Sequence, residues 1–527
     1  MREGPRRARS RGNPAPSIVN VLLITTDQQR ADTIGAYGSR LEATPALDRL
    51  AAEGVRFDAC RTQNPYCQPS RATLLTGRYP SSHGVHSNGV DFPQDEIGTT
   101  LSAMLATAGW TTAFRGKAHF ASSYPQIPTG AIESVEGSAA MPEGWHGPYM
   151  GFRDVDLVLF GHHIDPTCRN APAHWGPPPR GLHYARFLFR HGVETGTSRL
   201  YQMTPAAALR PSPAPETWAS ALPEEDHPTT YVADRTIDFL RRVDRAQPWF
   251  CWASFADPHH PMDPPAPWCD RYDARDMTLP ERRPGELDRK PRFHQLWANG
   301  LPEPMTWANP GGARLSDPQL AAMRAGYYGM VAQLDHAIGR VLATLDETGQ
   351  AADTLVVVTT DHGELLGDHQ MLFKGPLHYD GLLRVPLIVR GPGIVAATVK
   401  DPIGLIDVAP TVLDLAGLSL PPTIEGRSLR PFLTGTGGHR EWALTENDHE
   451  MQMTVYLRTV STERYVLTRY EAAPDVGELY DHDVDPGEFE NRWDDPAYAG
   501  VRRDLLALLT DIVNPKPRRL PNTGSLA

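Results

Sequence analysis

The sequence contains little cysteine and no long apolar run, and each shortage argues against a class of protein. Five cysteines occur among 527 residues, an odd number without framework spacing, so a disulfide-stapled scaffold is not expected. No stretch approaches the roughly 18 consecutive apolar residues of a membrane span. We therefore expect no membrane partner, and a reducing compartment, the cytoplasm.

Positive charge is also in short supply. The chain has 51 lysine and arginine residues against 63 aspartate and glutamate residues, a formal net charge of -12. This balance argues against nucleic acid as a partner, although it does not forbid a local basic pocket. Lysine is scarce and arginine plentiful, which draws attention to any lysine beside a glycine near a strand end.

The first 16 residues are basic and rich in proline, and we expect them to form a disordered tail. The apolar run that follows, Ile18 to Thr26, ends in T-T-D-Q-Q without a small-residue cleavage site. This run therefore indicates a buried strand rather than the core of a signal peptide.

Strand and helix patterns alternate along most of the chain. V-N-V-L-L-I-T-T-D and T-L-V-V-V-T-T-D-H are continuous apolar runs, typical of central parallel strands. The segments T-Y-V-A-D-R-T-I-D-F-L-R-R-V and Q-L-A-A-M-R-A-G-Y-Y-G-M-V-A-Q-L-D-H are apolar at helical spacing. The alternation predicts an α/β fold with a large, mostly parallel central sheet flanked by helices on both faces.

Two regions break the alternation. Residues 122–226 are rich in proline, glycine, histidine and aromatics with little periodicity, which predicts an insertion over one sheet edge that forms a lid or a binding wall. Residues 441–513 show short alternating stretches and a late helix, which predicts a smaller C-terminal α+β subdomain. The catalytic domain would then span 17–440, and 514–527 would be a loose tail.

Polar side chains that follow the predicted strands are the best evidence for a site. Asp27 and Gln28 follow the first strand, Asp361 and His362 follow a later one, and His259 follows a third. Ligands bind outside the carboxyl ends of parallel strands, so these groups are expected in one cleft. Carboxylates beside a carboxamide and an imidazole suit a hard divalent cation such as Ca2+ or Mn2+. For any single Asp, the alternative is a turn residue that ends a strand.

The stretch N-P-Y-C-Q-P-S-R-A-T-L-L-T-G places Cys67 at the start of a short helix. The N–H groups and dipole of that helix end, with Arg71 in its first turn, favour an anion there. From the residues alone, Cys67 can be a buried core residue, a nucleophile or a metal ligand.

Two lysines complete the candidate pocket. Lys117 and His119, in G-K-A-H, end another predicted strand, and Lys374 lies in M-L-F-K-G-P-L-H-Y-D. Each lysine taken singly is compatible with a solvated surface position. Cations, an acidic metal site and histidines together describe a pocket for an oxyanion ester.

These motifs resemble those of the sulfatases of the alkaline-phosphatase superfamily. C-Q-P-S-R-A-T-L-L-T-G-R is similar to the family signature C-x-P-S-R-x-x-x-L-T-G-R, which is long and specific. The resemblance also covers V-L-L-I-T-T-D-Q, G-K-A-H, D-P-H-H-P, T-T-D-H-G-E-L-L-G-D-H and F-K-G-P. It implies the sulfatase fold and the hydrolysis of an aryl, alkyl or carbohydrate sulfate to an alcohol and inorganic sulfate.

The resemblance also implies a set of site residues. In that family the motif cysteine is oxidised to formylglycine (3-oxoalanine), whose hydrated aldehyde is the nucleophile, so a formylglycine-generating enzyme is an implied maturation partner. The implied metal is Ca2+, with Mn2+ as the alternative. Its implied ligands are Asp27, Gln28, Cys67, Asp361 and His362, and Gln28 stands where the family often has Asp. The implied catalytic residues are Cys67, Arg71, Lys117, His119, His259 and Lys374, and Asn88, in H-S-N-G-V, matches a substrate-binding position.

The physical roles follow from these matches. Arg71, Lys117 and Lys374 would stabilise charge on the sulfuryl oxygens. His259 or Lys374 would protonate the departing alkoxide. His119 would remove the proton from the second hydroxyl of the hydrate, so that sulfate is expelled and the aldehyde restored.

Two alternatives stay open. A phosphonate monoester or phosphodiester hydrolase of the same superfamily looks similar in M-R-A-G-Y-Y-G and L-D-E-T-G-Q, whereas Ser70 and the G-K-A-H pair favour a sulfatase. A catalytically silent protein that binds sulfated ligands is the second alternative. The identity of the ester and the oligomeric state are not readable from the sequence.

Overall fold

The computed structural model describes residues 20–123, 125, 129–159, 163–164, 175–176, 182–301, 309–450 and 454–524. The predicted tail at 1–16 and part of the 122–226 region lie outside these residues. Among the described residues, no helix has the length and apolarity that crossing a bilayer requires.

An eight-stranded sheet forms the centre of the molecule. In chain order its strands are β1 (Asn20–Thr26), β2 (Val55–Phe57), β3 (Thr111–Gly116), β4 (Asp154–Leu157), β5 (Trp249–Ser254), β6 (Thr354–Thr360), β7 (Leu387–Arg390) and β8 (Ala397–Val399). Their order across the sheet is β8-β2-β7-β6-β1-β5-β3-β4. Only β7 runs against the others. The predicted mostly parallel sheet is therefore confirmed.

Helices cover both faces of this sheet. In chain order, the α-helices of this part of the described chain are α1 (Pro45–Glu53), α2 (Cys67–Thr76), α3 (Pro80–His83), α4 (Leu101–Thr107), α5 (Val135–Ala139), α6 (His183–Thr195), α7 (Arg199–Gln202), α8 (Pro228–Arg242), α9 (Arg292–Ala298), α10 (Asp317–Glu347), α11 (Asp380–Leu383), α12 (Val408–Leu415) and α13 (Arg430–Leu433). Alternate residues of β1 show the two layers. Val21 and Leu23 belong to a core shared with α2, α4 and α12, whereas Leu22 and Ile24 belong to a core shared with α1, α6, α8 and α10.

The two central strands explain why the polar residues after them meet. In β1 and β6 all seven residues are buried, because helices cover both faces. They pair in parallel, with Asn20 opposite Thr354 and Thr26 opposite Thr360. The residues that follow, starting at Asp27 and Asp361, therefore emerge side by side at the carboxyl edge of the sheet.

A second, smaller sheet follows in the C-terminal region. Its antiparallel strands are β9 (Ala443–His449), β10 (Val455–Ser461), β11 (Tyr465–Tyr470) and β12 (Gly477–Asp481), and helix α14 (Ala499–Ile512) packs on it. This confirms the predicted α+β subdomain, while its limits at 441 and 513 stay predictions. Short two-stranded pairs join Cys60–Arg61 to Ile403–Gly404, His163–Ile164 to Trp175–Gly176 and Arg210–Pro211 to Trp218–Ala219.

Two regions differ from the sequence-based expectation. The range 122–226 supplies β4, an edge strand of the central sheet itself, rather than only a covering segment. The described part of the tail, expected to be loose, is hydrogen-bonded along the 81–89 segment. The N–H groups of Arg518, Leu520 and Thr523 donate to the carbonyls of Ser81, Gly84 and Gly89.

Candidate active site

Cys67 occupies the first turn of α2, at the carboxyl edge of the central sheet. Every residue of this helix is buried, Cys67 completely. The Cys67 Sγ atom lies 3.2 Å from His362 Nε2 and 3.7 Å from Asp27 Oδ1. It also lies 3.0 Å from Lys374 Nζ and 3.8 Å from Lys117 Nζ. The thiol thus lies within 4 Å of polar atoms of four predicted site residues: Asp27, Lys117, His362 and Lys374.

Four of the predicted metal ligands form one compact group. Asp27, Cys67, Asp361 and His362 each offer a ligand atom, and these atoms lie within 4.8 Å of one another. All four side chains are fully buried. Two carboxylates and an imidazole supply oxygen and nitrogen donors of the type that divalent cations bind. The residues present therefore fit the metal that the resemblance implies.

Gln28 lies beside this group, where its backbone N–H donates to Asp361 Oδ1, and its role as a metal ligand stays a prediction. Its Nε2 donates to Glu364 Oε2 and lies 3.3 Å from His260 Nδ1. Its Oε1 accepts a hydrogen bond of 3.0 Å from Lys374 Nζ, the ammonium that also contacts Cys67. The Glu364 carboxylate accepts from the amide nitrogen and the Lys374 ammonium donates to the amide oxygen, and together they fix the orientation of the Gln28 amide.

Arg71 lies beneath the carboxylates and orients them. Its Nε donates to Asp361 Oδ2 at 2.9 Å, and Nη2 donates to Asp27 Oδ2 at 3.2 Å. Its Nη1 donates to the Lys117 carbonyl and to Ser254 Oγ. The side chain is fully buried. The contacts seen are with the ligand carboxylates, and direct binding of sulfate by Arg71 stays a prediction.

The two lysines make the pocket electropositive. Lys117 forms a buried ion pair with Asp27, and Lys374 stands at the rim, half-buried. Burial and Asp27 would raise the pKa of the Cys67 thiol, yet Lys117 and Lys374 hold that pKa below its ordinary value. Burial would also raise the pKa of Asp27, but Lys117 is foremost among the charges that hold it well below the usual range. The site is therefore built to stabilise negative charge.

The two predicted proton carriers, His259 and His119, are influenced most strongly by different cations. His259 Nε2 is 2.9 Å from Lys374 Nζ, and its Nδ1 contacts the His260 carbonyl. Burial, and then Lys374, hold the pKa of His259 well below its ordinary value. Burial, and then Lys117 and Arg71, do the same to the pKa of His119. Both imidazoles are thus neutral near pH 7, and each is able to accept a proton.

Asn88 supports the helix that carries Cys67. Its Oδ1 accepts a hydrogen bond of 3.1 Å from the Gln68 N–H, in the first turn of α2. That turn has unsatisfied donors of its own, so the contact is a side-chain cap. A contact of Asn88 with substrate stays a prediction.

Sequence reasoning did not identify several residues that shape the site. Glu364 is buried and holds Gln28, Ser254 holds Arg71, and Glu133 binds the backbone beside His119. Glu364 lies within the quoted T-T-D-H-G-E motif, so a signal for it was present. Glu133 lies in the irregular region, where no periodic pattern or motif marked it.

Two family models and several known proteins are similar to this chain. The family model described as "Sulfatase" matches residues 19–418, and the model described as "N-sulphoglucosamine sulphohydrolase, C-terminal" matches residues 367–514. An arylsulfatase of Clostridium perfringens is 30% identical over 436 residues, covering 79% of this chain and 78% of its own.

Two further relatives belong to the wider superfamily. The multifunctional alkaline phosphatase superfamily protein PehA of Trinickia caryophylli is 31% identical over 517 residues, covering 92% of this chain and 93% of its own. The crystal structure of a phosphonate monoester hydrolase of Agrobacterium radiobacter superposes with a TM-score of 0.75 at 27% identity. The match covers 93% of this chain and 95% of that one.

Proposed function

This chain belongs to the sulfatase family and is a sulfuric ester hydrolase, and from this premise we propose that its nucleophile is a formylglycine made from Cys67. The observation that carries the proposal is the place of Cys67 itself. A buried thiol at a helix N-terminus, between two lysines and three further metal-ligand candidates, lies where a developing oxyanion would be stabilised.

We further propose that a divalent cation, Ca2+ first and Mn2+ as the alternative, is held by Asp27, Gln28, Cys67, Asp361 and His362. When bound, such an ion acts as a Lewis acid toward the sulfuryl oxygens and the nucleophilic oxygen. The hydrated aldehyde supplies that oxygen and a second hydroxyl.

The chain's own residues would then divide the work. Lys117 and Lys374 place positive charge beside residue 67, where the sulfuryl group must lie. The Lys374–His259 pair at the rim is positioned to give a proton to the departing alkoxide. His119, neutral and buried, would accept the proton whose loss releases sulfate.

Mass spectrometry of the peptide that contains residue 67 tests the proposal. In a host with the maturing enzyme, we expect the mass change that replaces the thiol by an aldehyde. Cys67→Ala should abolish hydrolysis of 4-nitrophenyl sulfate. Cys251→Ala, a substitution at another buried cysteine in β5, should leave hydrolysis within about threefold of the unaltered enzyme, a change of less than 1 kcal/mol in the barrier. An active protein with an unmodified Cys67 would refute the formylglycine nucleophile.

A second candidate function is the hydrolysis of phosphonate monoesters. It is supported by the 0.75 TM-score and 27% identity to the Agrobacterium radiobacter enzyme over nearly the whole chain. The kcat/KM values on 4-nitrophenyl sulfate and on a 4-nitrophenyl phosphonate monoester separate the two. We expect the sulfate to be preferred, and a strong phosphonate preference would reverse the assignment.

A further inference from the structure

The backbone at His119 has an unusual conformation for a residue with a side chain. β3 ends at Gly116, and the chain then turns so that His119 has a φ of 51°, in the left-handed region. Such a conformation costs free energy for a residue other than glycine and persists only when its surroundings fix it. The residues that hold this turn therefore decide where the imidazole lies.

One buried carboxylate holds the turn. Glu133 Oε2 accepts a hydrogen bond of 2.5 Å from the His119 N–H, and Oε1 accepts bonds of 2.8 and 3.2 Å from the Phe120 and Ala121 N–H groups. Tyr149 donates its hydroxyl to the same Oε1 at 2.6 Å. Glu133 is 1% exposed. Three successive peptide N–H groups converge on one side chain that belongs to a different part of the chain.

Glu133 is itself anchored. The next residue, Ser134, caps α5 by accepting a hydrogen bond from the Gly137 N–H. The Val135 N–H donates to the Ser123 carbonyl, which ties this segment to the end of the turn. Tyr149 is buried and its backbone is paired with Phe152. The acceptor is therefore presented from a fixed frame.

We propose that Glu133 is a positioning residue for His119, and that its carboxylate holds the imidazole where it accepts the proton during release of sulfate. The inference rests on the proposed function, in which His119 has that role. Glu133 does not contact the residue 67 side chain in the described contacts, so it acts through the turn and not on substrate.

The consequence for kinetics is specific. Without the Glu133 carboxylate, buried N–H groups of the turn lose their hydrogen-bond acceptor. This loss raises the free energy of the present turn and favours a different backbone conformation. The imidazole then moves, and a displacement of about 1 Å can slow a positioned reaction about 100-fold. The step that suffers is the one after the alcohol has left.

Rapid-mixing kinetics on 4-nitrophenyl sulfate test the proposal with Glu133→Gln, which is nearly isosteric but has only one acceptor oxygen. We expect a kcat about 10- to 100-fold lower, with a burst of nitrophenol close to one per active site before the slow steady state. Tyr149→Phe removes one donor and leaves the carboxylate on the turn, so it should change kcat about threefold or less. A Glu133→Gln enzyme with unchanged kcat, or one slowed without a burst, would overturn the proposal.

A double-substitution cycle separates positioning from general damage. If Glu133 acts through His119, the His119→Ala, Glu133→Gln double variant should be no slower than His119→Ala alone. Additive losses would overturn the proposal. A His119→Ala enzyme with normal kcat would also overturn it, while the sulfatase function would stand. Failure of the proposed function itself would show in the unaltered protein, as an unmodified Cys67 and no turnover.

The ionisation of Glu133 gives an independent readout. Burial raises its pKa from 4.5 to about 7. The titratable groups around it are Tyr149, which contacts it, His119, whose N–H it accepts, and Asp91, which acts electrostatically on Tyr149. Only the ionised carboxylate has acceptor capacity on both oxygens for the N–H groups of the turn, so kcat of the unaltered enzyme should decrease as pH drops below about 7. This decrease should be absent from Glu133→Gln. Because the folded state binds the Glu133 proton more tightly than the unfolded chain does, stability should fall as pH rises from about 4.5 to about 7, and this fall should be absent from Glu133→Gln. A retained decrease in kcat would count against the positioning role.

Discussion

At the residue scale, orientation matters as much as identity. Sequence reasoning named Gln28 as a ligand candidate, but the direction of its carboxamide depends on Glu364, which is 336 residues away in the chain. Glu364 also accepts hydrogen bonds from the Leu366 and Phe373 N–H groups. No local pattern encodes such a contact. The identities of the site residues could therefore be predicted from the sequence, whereas the hydrogen bonds that orient their side chains could not.

Glu364→Gln should weaken metal binding. With a neutral amide at 364, Gln28 loses the anionic partner that turns its Oε1 toward Lys374 and Cys67. Loss of such an outer partner lowers metal affinity about 10-fold or more. Isothermal titration of Ca2+ into metal-free protein measures the change.

Asp335→Asn provides the matched control for that titration. Asp335 is also a buried carboxylate, but it accepts the Ala46 and Leu47 N–H groups at the start of α1. Its substitution should leave the Ca2+ affinity unchanged. If Glu364→Gln also leaves it unchanged, the carboxylate does not fix the Gln28 amide.

At the scale of elements, a strand or helix could be predicted from the sequence where its apolar residues form a continuous run or a regular helical spacing. β1, β5, β6 and the helices α8 and α10 were predictable because each is a long apolar run or has clear helical spacing. β4 and β9 were not. β4 has only four residues, and β9 reads A-L-T-E-N-D-H, although all seven of its residues are buried. β9 is buried because it packs against the loop before Cys67, where Asn64 Nδ2 donates to the Glu446 carbonyl.

The cap on α2 provides a test at this scale. Asn88→Ala removes the acceptor of the Gln68 N–H and should lower the free energy of unfolding by about 1 kcal/mol. Asn88→Asp keeps an acceptor and adds a negative charge that the helix N-terminus favours, so it should be at least as stable as Asn88→Ala. Urea unfolding followed by circular dichroism compares the three proteins. Equal stability of all three would show that the cap contributes nothing.

At the scale of the whole molecule, the C-terminal region is part of the support for the site. β9 lies against the loop before Cys67, and the 518–523 segment lies along the 81–89 segment that leads to Asn88. Leu520 packs against the core on the α2 face of the central sheet. The tail composition, rich in proline and arginine, indicated a loose end. Its pairing depends on partners more than 400 residues earlier, which composition does not reveal.

Removal of residues 517–527 should therefore destabilise the enzyme. The variant loses three backbone hydrogen bonds, the Leu520 contact and the 2.7 Å contact from Arg519 Nε to Asp448. We expect the midpoint of thermal unfolding to fall by about 3 °C. Lys516→Ala changes an exposed residue of the same tail and should leave the midpoint unchanged. An unchanged midpoint in the truncated protein would mean that the tail does not stabilise the folded state.

The complete burial of Cys67 has a consequence for how active molecules arise. Once α2 has packed, no surface of the thiol is open to solvent, so another protein cannot reach it. On the proposed function, the Cys67 thiol must therefore be oxidised before the core around α2 has folded. The relative rates of oxidation and folding would then set the active fraction of a preparation. This fraction would not change afterwards, since a molecule that folds before oxidation keeps its thiol.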